Sequence, residues 1–326
     1  MLCHTRAAVL AAACLAAPLP VTTGAQAETY PNHTIKLVVP YAAGGTGDIV
    51  ARAVADRLGL ALGQSVVVEN RAGATGAIGT QSVAASAPDG HTLLVGQTGE
   101  IAINPHWNKG IGYEPDKDLV PVALATIVPL ALVAPGQASY GTLAEMLKAS
   151  HQRSLTFASA GTATPGHLAG EVLKFKTKSN LTHVPYKGAS PALNDLLGGH
   201  VDFFFSGFPA AAEHVKSGSL KLLAVSSGKR SGIAPDAPTV AEAANLPGFD
   251  ITLWQGFFAP RQTPHEIVER LNTEINKILA EPDIKQKLLE QGADVSPISL
   301  AQFAAFVKSE GQKFQAIIKD INLTPQ

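Results

Sequence analysis

Ile35-Lys36-Leu37-Val38-Val39-Pro40-Tyr41-Ala42-Ala43-Gly44-Gly45-Thr46-Gly47-Asp48 decides how this chain is read. Its first five residues are apolar but for Lys36 and rich in β-branching, as a short strand requires. Pro40 and the glycines end that strand, and residues 48–62 then place Val50, Val54, Leu58 and Leu62 at the spacing of one helix face. A strand feeding a glycine-rich loop and then a helix opens an α/β unit. The glycines let backbone N–H groups converge, and the helix N-terminus adds about half a positive charge, so the loop favours an anion although it holds no Lys or Arg. Both nucleotide fingerprints fail: no Gly-Lys-Ser/Thr ends the loop, and Val50 stands where Gly45-x-Gly47 would need its third glycine. The other reading of the loop is a tight turn with Thr46 or Asp48 as N-cap.

The same order recurs. Val66-Val67-Val68 reads as a second strand, followed by Asn70-Arg71-Ala72-Gly73-Ala74-Thr75-Gly76-Ala77-Ile78-Gly79 and helical spacing over 75–85. Thr92-Leu93-Leu94-Val95 reads as a third, followed by Gly96-Gln97-Thr98-Gly99. Gly73 and Gly76 permit close backbone approach; Gly79 either lines a cleft or packs a helix. A second set follows: apolar runs at 122–125 and 130–133, strand-like 155–157, 181–184, 201–205 and 220–225, and helical spacing over 165–175, 191–197 and 210–215. Thr263-Pro264-His265-Glu266 and Ser299-Leu300-Ala301-Gln302 each read as a capping box opening a helix.

Two such sets predict two lobes with a cleft between them, and ligands in such sheets sit beyond the carboxyl ends of the strands. The second lobe's counterpart loop is Ser159-Ala160-Gly161-Thr162-Ala163-Thr164-Pro165-Gly166-His167, where Thr164 suits an N-cap and Pro165 the first helical position. His167 is either an acid–base group or a structural hydrogen-bonder.

Of the 326 residues, 46% are apolar and 16% charged, which excludes disorder as the main state. With 25 basic against 26 acidic residues, nothing calls for nucleic acid. Residues 1–27 read as a signal peptide: Arg6, an apolar run over 7–17 and Ala25-Gln26-Ala27 predict cleavage after Ala27 and export to the periplasm. That run is shorter than the ~20 residues of a membrane span. Cys3 and Cys14 both lie inside the expected signal peptide, so the mature chain would have no disulfide or thiolate chemistry. Lipidation at Cys14 is disfavoured because the apolar run continues to Ala17. Loss of Arg6 leaves 24 basic residues against 26 acidic, a mature charge of −2.

Four segments together carry a family resemblance. They are Pro40 to Asp48 with Ala51-Arg52; Glu69-Asn70-Arg71-Ala72-Gly73-Ala74-Thr75-Gly76; Ser159-Ala160-Gly161-Thr162 with Gly166-His167-Leu168-Ala169-Gly170-Glu171; and Val184-Pro185-Tyr186-Lys187-Gly188 with Asp195-Leu196-Leu197-Gly198-Gly199-His200-Val201-Asp202. In order and spacing they resemble the Bug family, periplasmic solute-binding proteins of tripartite tricarboxylate transporters. The resemblance implies a two-lobed Venus-flytrap α/β receptor, each lobe a mixed, mostly parallel sheet flanked by helices. Residues 28–125 and 250–326 would form lobe one and 126–249 lobe two, closing by hinge motion at the crossings near 120–125 and 255–260. It further implies a small carboxylate held by backbone groups and water between Tyr41, Gly44, Gly45, Thr46 and Asp48 on one side and Ser159, Gly161, Thr162 and His167 on the other. Tyr41 and Ala43 stand where relatives often carry Phe and Pro.

Gln97, Thr98 and Ser206 are placed to orient the ligand's far end. Arg71 and Lys187 are the nearest cations outside the loops, and Tyr41, Trp107, Phe205, Phe208 and Trp254 are the rings that could narrow the cleft in favour of a compact acid. The expected partners are that carboxylate and transporter membrane subunits or a sensor, with the receptor a monomer and no cofactor or metal. No His-x-x-x-His, HExxH or Gly-x-Ser-x-Gly segment is present, so an enzyme is not expected; the one hydrolase alternative would use Ser159 with His167.

Overall fold

The structure, a computed structural model, describes residues 30–108, 110–290, 292–295 and 297–323. The expected signal segment, with Cys3 and Cys14, lies outside the described residues, and Pro31–Gln326 is one compact unit. The strands are β1 (Ile35–Val39), β2 (Val66–Asn70), β3 (Thr92–Gln97), β4 (Leu119–Pro135), β5 (Leu155–Ser159), β6 (Leu181–Pro185), β7 (Phe203–Gly207), β8 (Leu220–Val225), β9 (Thr252–Pro260) and β10 (Asp294–Val295). All the strand-like segments form, most extended by a residue or two.

The apolar runs at 122–125 and 130–133 are one 17-residue strand rather than two. The three prolines of β4 did not break it, because Pro129 falls where β4 changes partner and a missing N–H is cheapest. Residues 119–129 of β4 run antiparallel to β9, while 130–135 run antiparallel to β7 and β8. On one side the order is β2-β1-β3-β9-β4, with β1 parallel to both neighbours; on the other, β4-β7-β5-β6, with β5 parallel to both of its neighbours. The result is an α/β fold in which two halves of mixed sheet share one strand, each flanked by helices. No described helix is long and apolar enough to cross a membrane.

Helices arise where the apolar spacing predicted them: Thr46–Leu62, Pro165–Thr177, Ala189–Leu197, Phe208–Lys216, His265–Ala280 and Leu300–Asp320. Residues 75–85 depart from the expectation. Ala74 and Thr75 have φ of 46° and 52°, so a 3-10 turn (Ala74–Gly76) precedes the helix Ala77–Ala84. The last helix brings the C-terminus back onto the first half: Phe303 packs 5.3 Å from Phe258 and Trp254 Nε1 donates to Glu310 Oε2 at 3.0 Å.

Only one of the two expected capping boxes near the C-terminus forms. Ser299 Oγ accepts from Gln302 N and the Gln302 carboxamide oxygen accepts from Ser299 N, as predicted. Thr263 instead closes a turn on the end of β9, its N–H donating to Pro260 O at 3.0 Å; the helix starts at His265 and the buried Thr263 hydroxyl has no partner. Ser299→Ala is therefore expected to cost about 1 kcal/mol, whereas Thr263→Val costs little or stabilises, since it removes a buried hydroxyl that bonds nothing. Urea denaturation of the two variants checks the contrast.

Candidate functional site

The glycine-rich loop after β1 ends at Gly45, the N-cap of Thr46–Leu62, and no side chain caps that helix. Neither Thr46 nor Asp48 is the N-cap, a correction to the tight-turn reading. Thr46 is the first helical residue, and Asp48 reaches back from the first turn to accept from Gly44 N at 3.0 Å. Gly44 has φ +82°, in the left-handed region that glycine adopts without strain. Asp48 is buried, and its Oδ2 also accepts from Arg52 Nε at 3.0 Å while Oδ1 accepts from Asn70 Nδ2 at 3.0 Å. Burial pushes this carboxyl up, but the bonds from Arg52, Gly44 and Asn70 together outweigh it and hold the group below its ordinary range. Asp48 thus braces the loop. Asn70 extends the brace by donating to Tyr41 O at 3.1 Å.

The loop after β2 lies behind this one. A β-carbon at Gly79 would fall 2.8 Å from Pro40 Cα and 2.9 Å from Arg71 O, so Gly79 packs rather than lines a cleft. Arg71 is exposed and ion-paired to Glu69. The Gln97 amide lies against Gly47 at the end of β3, 2.9 Å from where a side chain would start. Thr98 is fully buried, its hydroxyl accepting from Trp254 N at 2.8 Å and donating to Thr252 O at 3.4 Å; it fastens β3 to β9.

Beyond it, a π-helical turn (Gly99–Ile103) carries Glu100, which is 0% exposed. Its Oε2 accepts from the Tyr41 hydroxyl at 2.7 Å and Oε1 from Gln97 N at 2.5 Å. Burial pushes this carboxyl up to about 8 in spite of both bonds. Glu100 was not expected from the sequence, though a lone acid followed by Ile101-Ala102-Ile103 was the available signal.

In the second half, Thr164 caps Pro165–Thr177 as predicted, accepting from His167 N. The Ser159 hydroxyl bonds Gly161 O at 2.9 Å and His183 Nε2 at 2.7 Å, and it accepts from Gly161 N at 3.2 Å. With a single proton on that hydroxyl, all three bonds are satisfied when His183 donates from Nε2. His167 does not touch Ser159. Its Nδ1 accepts from Ala163 N at 3.2 Å, its ring stacks on His183 at 4.1 Å, and its Nε2 is buried without a partner. The Ser159–His167 hydrolase pairing is therefore absent, and the histidine that does meet Ser159 has no partner on Nδ1, hence no orienting carboxylate. Burial lowers His167 to about 3, helped by His183 and Lys174, and lowers His183 to about 4. Ser206 is buried, donating to Gly207 O at 3.1 Å.

Three approaches bring the halves together at these loops. The Thr46 hydroxyl lies 4.0 Å from where a Gly207 side chain would start, Ala163 O lies 3.8 Å from the same point on Gly99, and Trp107 meets His167 edge-on with ring centres 5.6 Å apart. Of the five rings proposed for the cleft, Tyr41 and Trp107 stand at this seam. Phe205 and Trp254 are core, Phe205 stacked on Phe249 and Trp254 edge-on to Phe306 of the last helix, and Phe208 is buried. A surface hollow of about 320 Å³ lined by Ile101, Leu119, Phe258, Val307, Arg261 and Lys308 contains no residue of the loops after β1 and β5. At the opposite ends of β1 and β3, His33, Asp89 and His91 cluster, but both His91 ring nitrogens have protein neighbours, Asn32 N at 3.3 Å and Asp89 Oδ1 at 3.3 Å.

The family model described as the tripartite tricarboxylate transporter family receptor matches residues 50–323. Protein BugT of Bordetella pertussis is 35% identical over 314 residues, covering 95% of this chain and 94% of that one. Among solved structures, a protein of R. palustris determined with adipate is 34% identical with a TM-score of 0.86, covering 91% of this chain and all (100%) of that one. MatC of Rhodopseudomonas palustris, determined with bound malate, is 35% identical with a TM-score of 0.81, covering 89% and 100%.

The paired histidines predict acid lability. Their folded values lie below the ordinary 6.5, so the unfolded chain binds more protons as pH falls. The histidines' contribution to stability is full above pH ~6.5 and declines towards pH 4, by up to about 1.4 kcal/mol per pH unit for each. His183→Gln, which keeps a donor for Ser159, should remove about half of that slope in denaturant titrations from pH 7 to 4.

Proposed function

The chain belongs to the tripartite tricarboxylate transporter receptor family, and on that premise we propose that it is a periplasmic receptor that binds a small carboxylate between two lobes and passes it to transporter membrane subunits or a sensor. The observation that carries this reading is the facing pair of loops after β1 and β5. Each leads into a helix N-terminus, the two stand on opposite halves, and neither contains Lys or Arg. Such a pair offers amide dipoles from both sides to one anion. Relatives of similar size that were determined with malate and adipate support a carboxylate of that class.

In this reading residues 28–125 and 250–326 form lobe one and 126–249 lobe two, moving about β4 and β9. The ligand carboxylate meets the backbone amides of Gly45 and Thr46 and, across the seam, of Thr162, with ordered water completing its bonds; Gly44 and Gly161, whose N–H groups are taken by Asp48 and Ser159, shape the two loops instead. Tyr41 walls the site, Asp48 and Ser159 hold the two loops in shape, and the His167 Nε2–H is a donor in want of an acceptor. Gln97 and Ser206 frame the far end, while Thr98 contributes by anchoring β9. The receptor works as a monomer, without metal or cofactor, after removal of residues 1–27.

A thermal-shift screen of small mono-, di- and tricarboxylates tests this reading. An acid at a hundred times its Kd adds about 2.7 kcal/mol of stability, and no shift with any of them would refute it. Gly45→Asp is a sharper probe. Gly45 has φ −78°, which any residue adopts, and a β-carbon there meets only Ala42 O at 3.6 Å. Aspartate is a better N-cap than glycine by a few tenths of a kcal/mol, so the variant folds at least as stably. Its carboxylate occupies the helix end in the ligand's place, and the Kd measured by calorimetry should rise at least ~10-fold, a cost of about 1.4 kcal/mol.

A further inference from the structure

Glu100 lies behind the proposed anion loop, and among the described residues no cation is bonded to it. Both carboxylate oxygens are met by neutral donors, Tyr41 OH and Gln97 N. The described groups that bond the pair's neighbours are neutral: Thr75 O lies beside the Tyr41 hydroxyl at 3.4 Å, Asn104 donates to that same carbonyl, and Tyr113 donates to the Glu100 backbone carbonyl at 2.7 Å. On the turn after Glu100, burial lowers His106 against the opposing pull of its charged neighbour Asp116. The last helix also packs on this turn, but its Glu310 is taken by Trp254 and Lys313. A side chain at Gly76 would start 3.1 Å from the Tyr41 hydroxyl and one at Gly99 3.0 Å from it, so two glycines clear the space in which Tyr41 and Glu100 meet. Ala163 O of the other half lies 3.8 Å from that same point on Gly99. The pair therefore sits at the seam that a ligand would enter.

Resting on the carboxylate reading above, we propose that Glu100 is a positioning and charge-selecting residue: through Tyr41 it takes up a proton from solvent when an anion enters the cleft, so that the ligand binds only to the neutral form of this buried acid. An ionised Glu100 and a ligand carboxylate would be two like charges in a site of low polarity, and the cheaper state protonates one of them. The group closer to that change is Glu100, whose burial already lifts it to about 8 before any ligand arrives. By linkage, affinity is then constant at low pH and falls as Glu100 ionises, with a limiting slope of about one decade in Kd per pH unit.

Calorimetric titration of the mature protein with malate and with adipate from pH 6 to pH 9, in two buffers of different ionisation enthalpy, tests this. Wild type should lose ~10-fold in affinity between pH 7 and pH 9 and take up a fraction of a proton per ligand near pH 8. Glu100→Gln should show a flat profile and no uptake. The amide fits: its oxygen keeps Gln97 N while its NH₂ donates to Tyr41, whose hydroxyl turns to Thr75 O. Tyr41→Phe removes a bond that favours the ionised form, so its affinity should fall at a higher pH than wild type; a merely structural role for the pair would not move the profile in that direction.

A measurement without ligand stands beside these. Because the folded value lies above the ordinary 4.5, Glu100 contributes stability that is full below pH ~4.5 and lost as pH rises towards 8. The wild-type Tm should therefore fall relative to Glu100→Gln by at least about 3 °C from pH 5 to pH 8. Should neither acid bind, the same titrations are run with the acid that shifts the protein most in the carboxylate screen; binding of none of the screened acids at any pH refutes the carboxylate reading and the proposal with it. Binding whose Kd does not change with pH, or changes equally in Glu100→Gln, or a Tm difference that is constant with pH, overturns the proposal alone.

Discussion

Every feature of the seam depends on one strand that belongs to two sheets. An interior strand must find partners for its N–H and C=O groups on both sides, and β4 finds them in different halves along its length: β9 as far as Pro129↔Thr252, then β7 and β8 from Leu130 onward. Pro129 offers no donor at the changeover, so the ladder can let go of one partner and take the next without leaving an amide unpaired. The loops after β1, β3, β5 and β7 are held to common ground by that strand and by β9. Thr98 is part of the same fastening, since its hydroxyl stands in for a ladder partner of Trp254 N. The spacing of Thr46 from Gly207 and of Gly99 from Ala163 is thus a property of the sheet.

At the ends of those strands, helix dipoles meet buried acids. The helices beginning at Thr46 and Pro165 point positive ends toward the seam, while two buried carboxyl groups stand beside it, Asp48 held below its ordinary range and Glu100 pushed above it by burial. Asp48 is neutralised where it stands by Arg52, Asn70 and the Gly44 amide, so the local field seen by an incoming anion is that of the helix end. Arg52 spends its charge on Asp48 and Arg71 on Glu69, which explains how a chain with 25 basic residues leaves its two glycine loops without a cation.

Much of this was legible in the sequence because it rests on local rules. The period-2 and period-3.6 spacings placed the strands and helices, Thr164-Pro165 and Ser299 to Gln302 carried their caps in plain view, and the glycine loops declared themselves by position after a strand. What escaped was set by tertiary contacts. Thr263 fits the capping pattern, yet the end of β9 draws it into a turn; β4 looked like two strands because its prolines are tolerated only where partners change. Trp254 and Phe205 were plausible cleft walls until the last helix and Phe249 covered them. Ser159 finds His183, which lies 24 residues on in β6, instead of His167 eight residues away, because parallel register puts β6 beside β5. Glu100 is the clearest omission: its single-letter context is an apolar run, and only the fold shows that Tyr41 of the anion loop reaches it.

Recognition by amides and hydroxyls rather than by guanidinium forks also fits what a carrier has to do. A buried Arg–carboxylate pair is held by strong charge-assisted bonds, and breaking it strands a buried charge, which slows release. A carboxylate seated on helix amides leaves behind dipoles that water can satisfy as soon as the seam opens, and affinity differences among related complexes reside mostly in the off-rate. Discrimination must then come from what surrounds the amides. In this chain that is the Trp107 edge on His167, the unpartnered Nε2 of a histidine kept neutral by burial, and the Tyr41 hydroxyl tied to an acid that no described cation balances. On the proposed reading these side chains would meet the ligand's remainder while the amides of the same loops supply the grip, so selectivity rests on side chains and affinity on backbone.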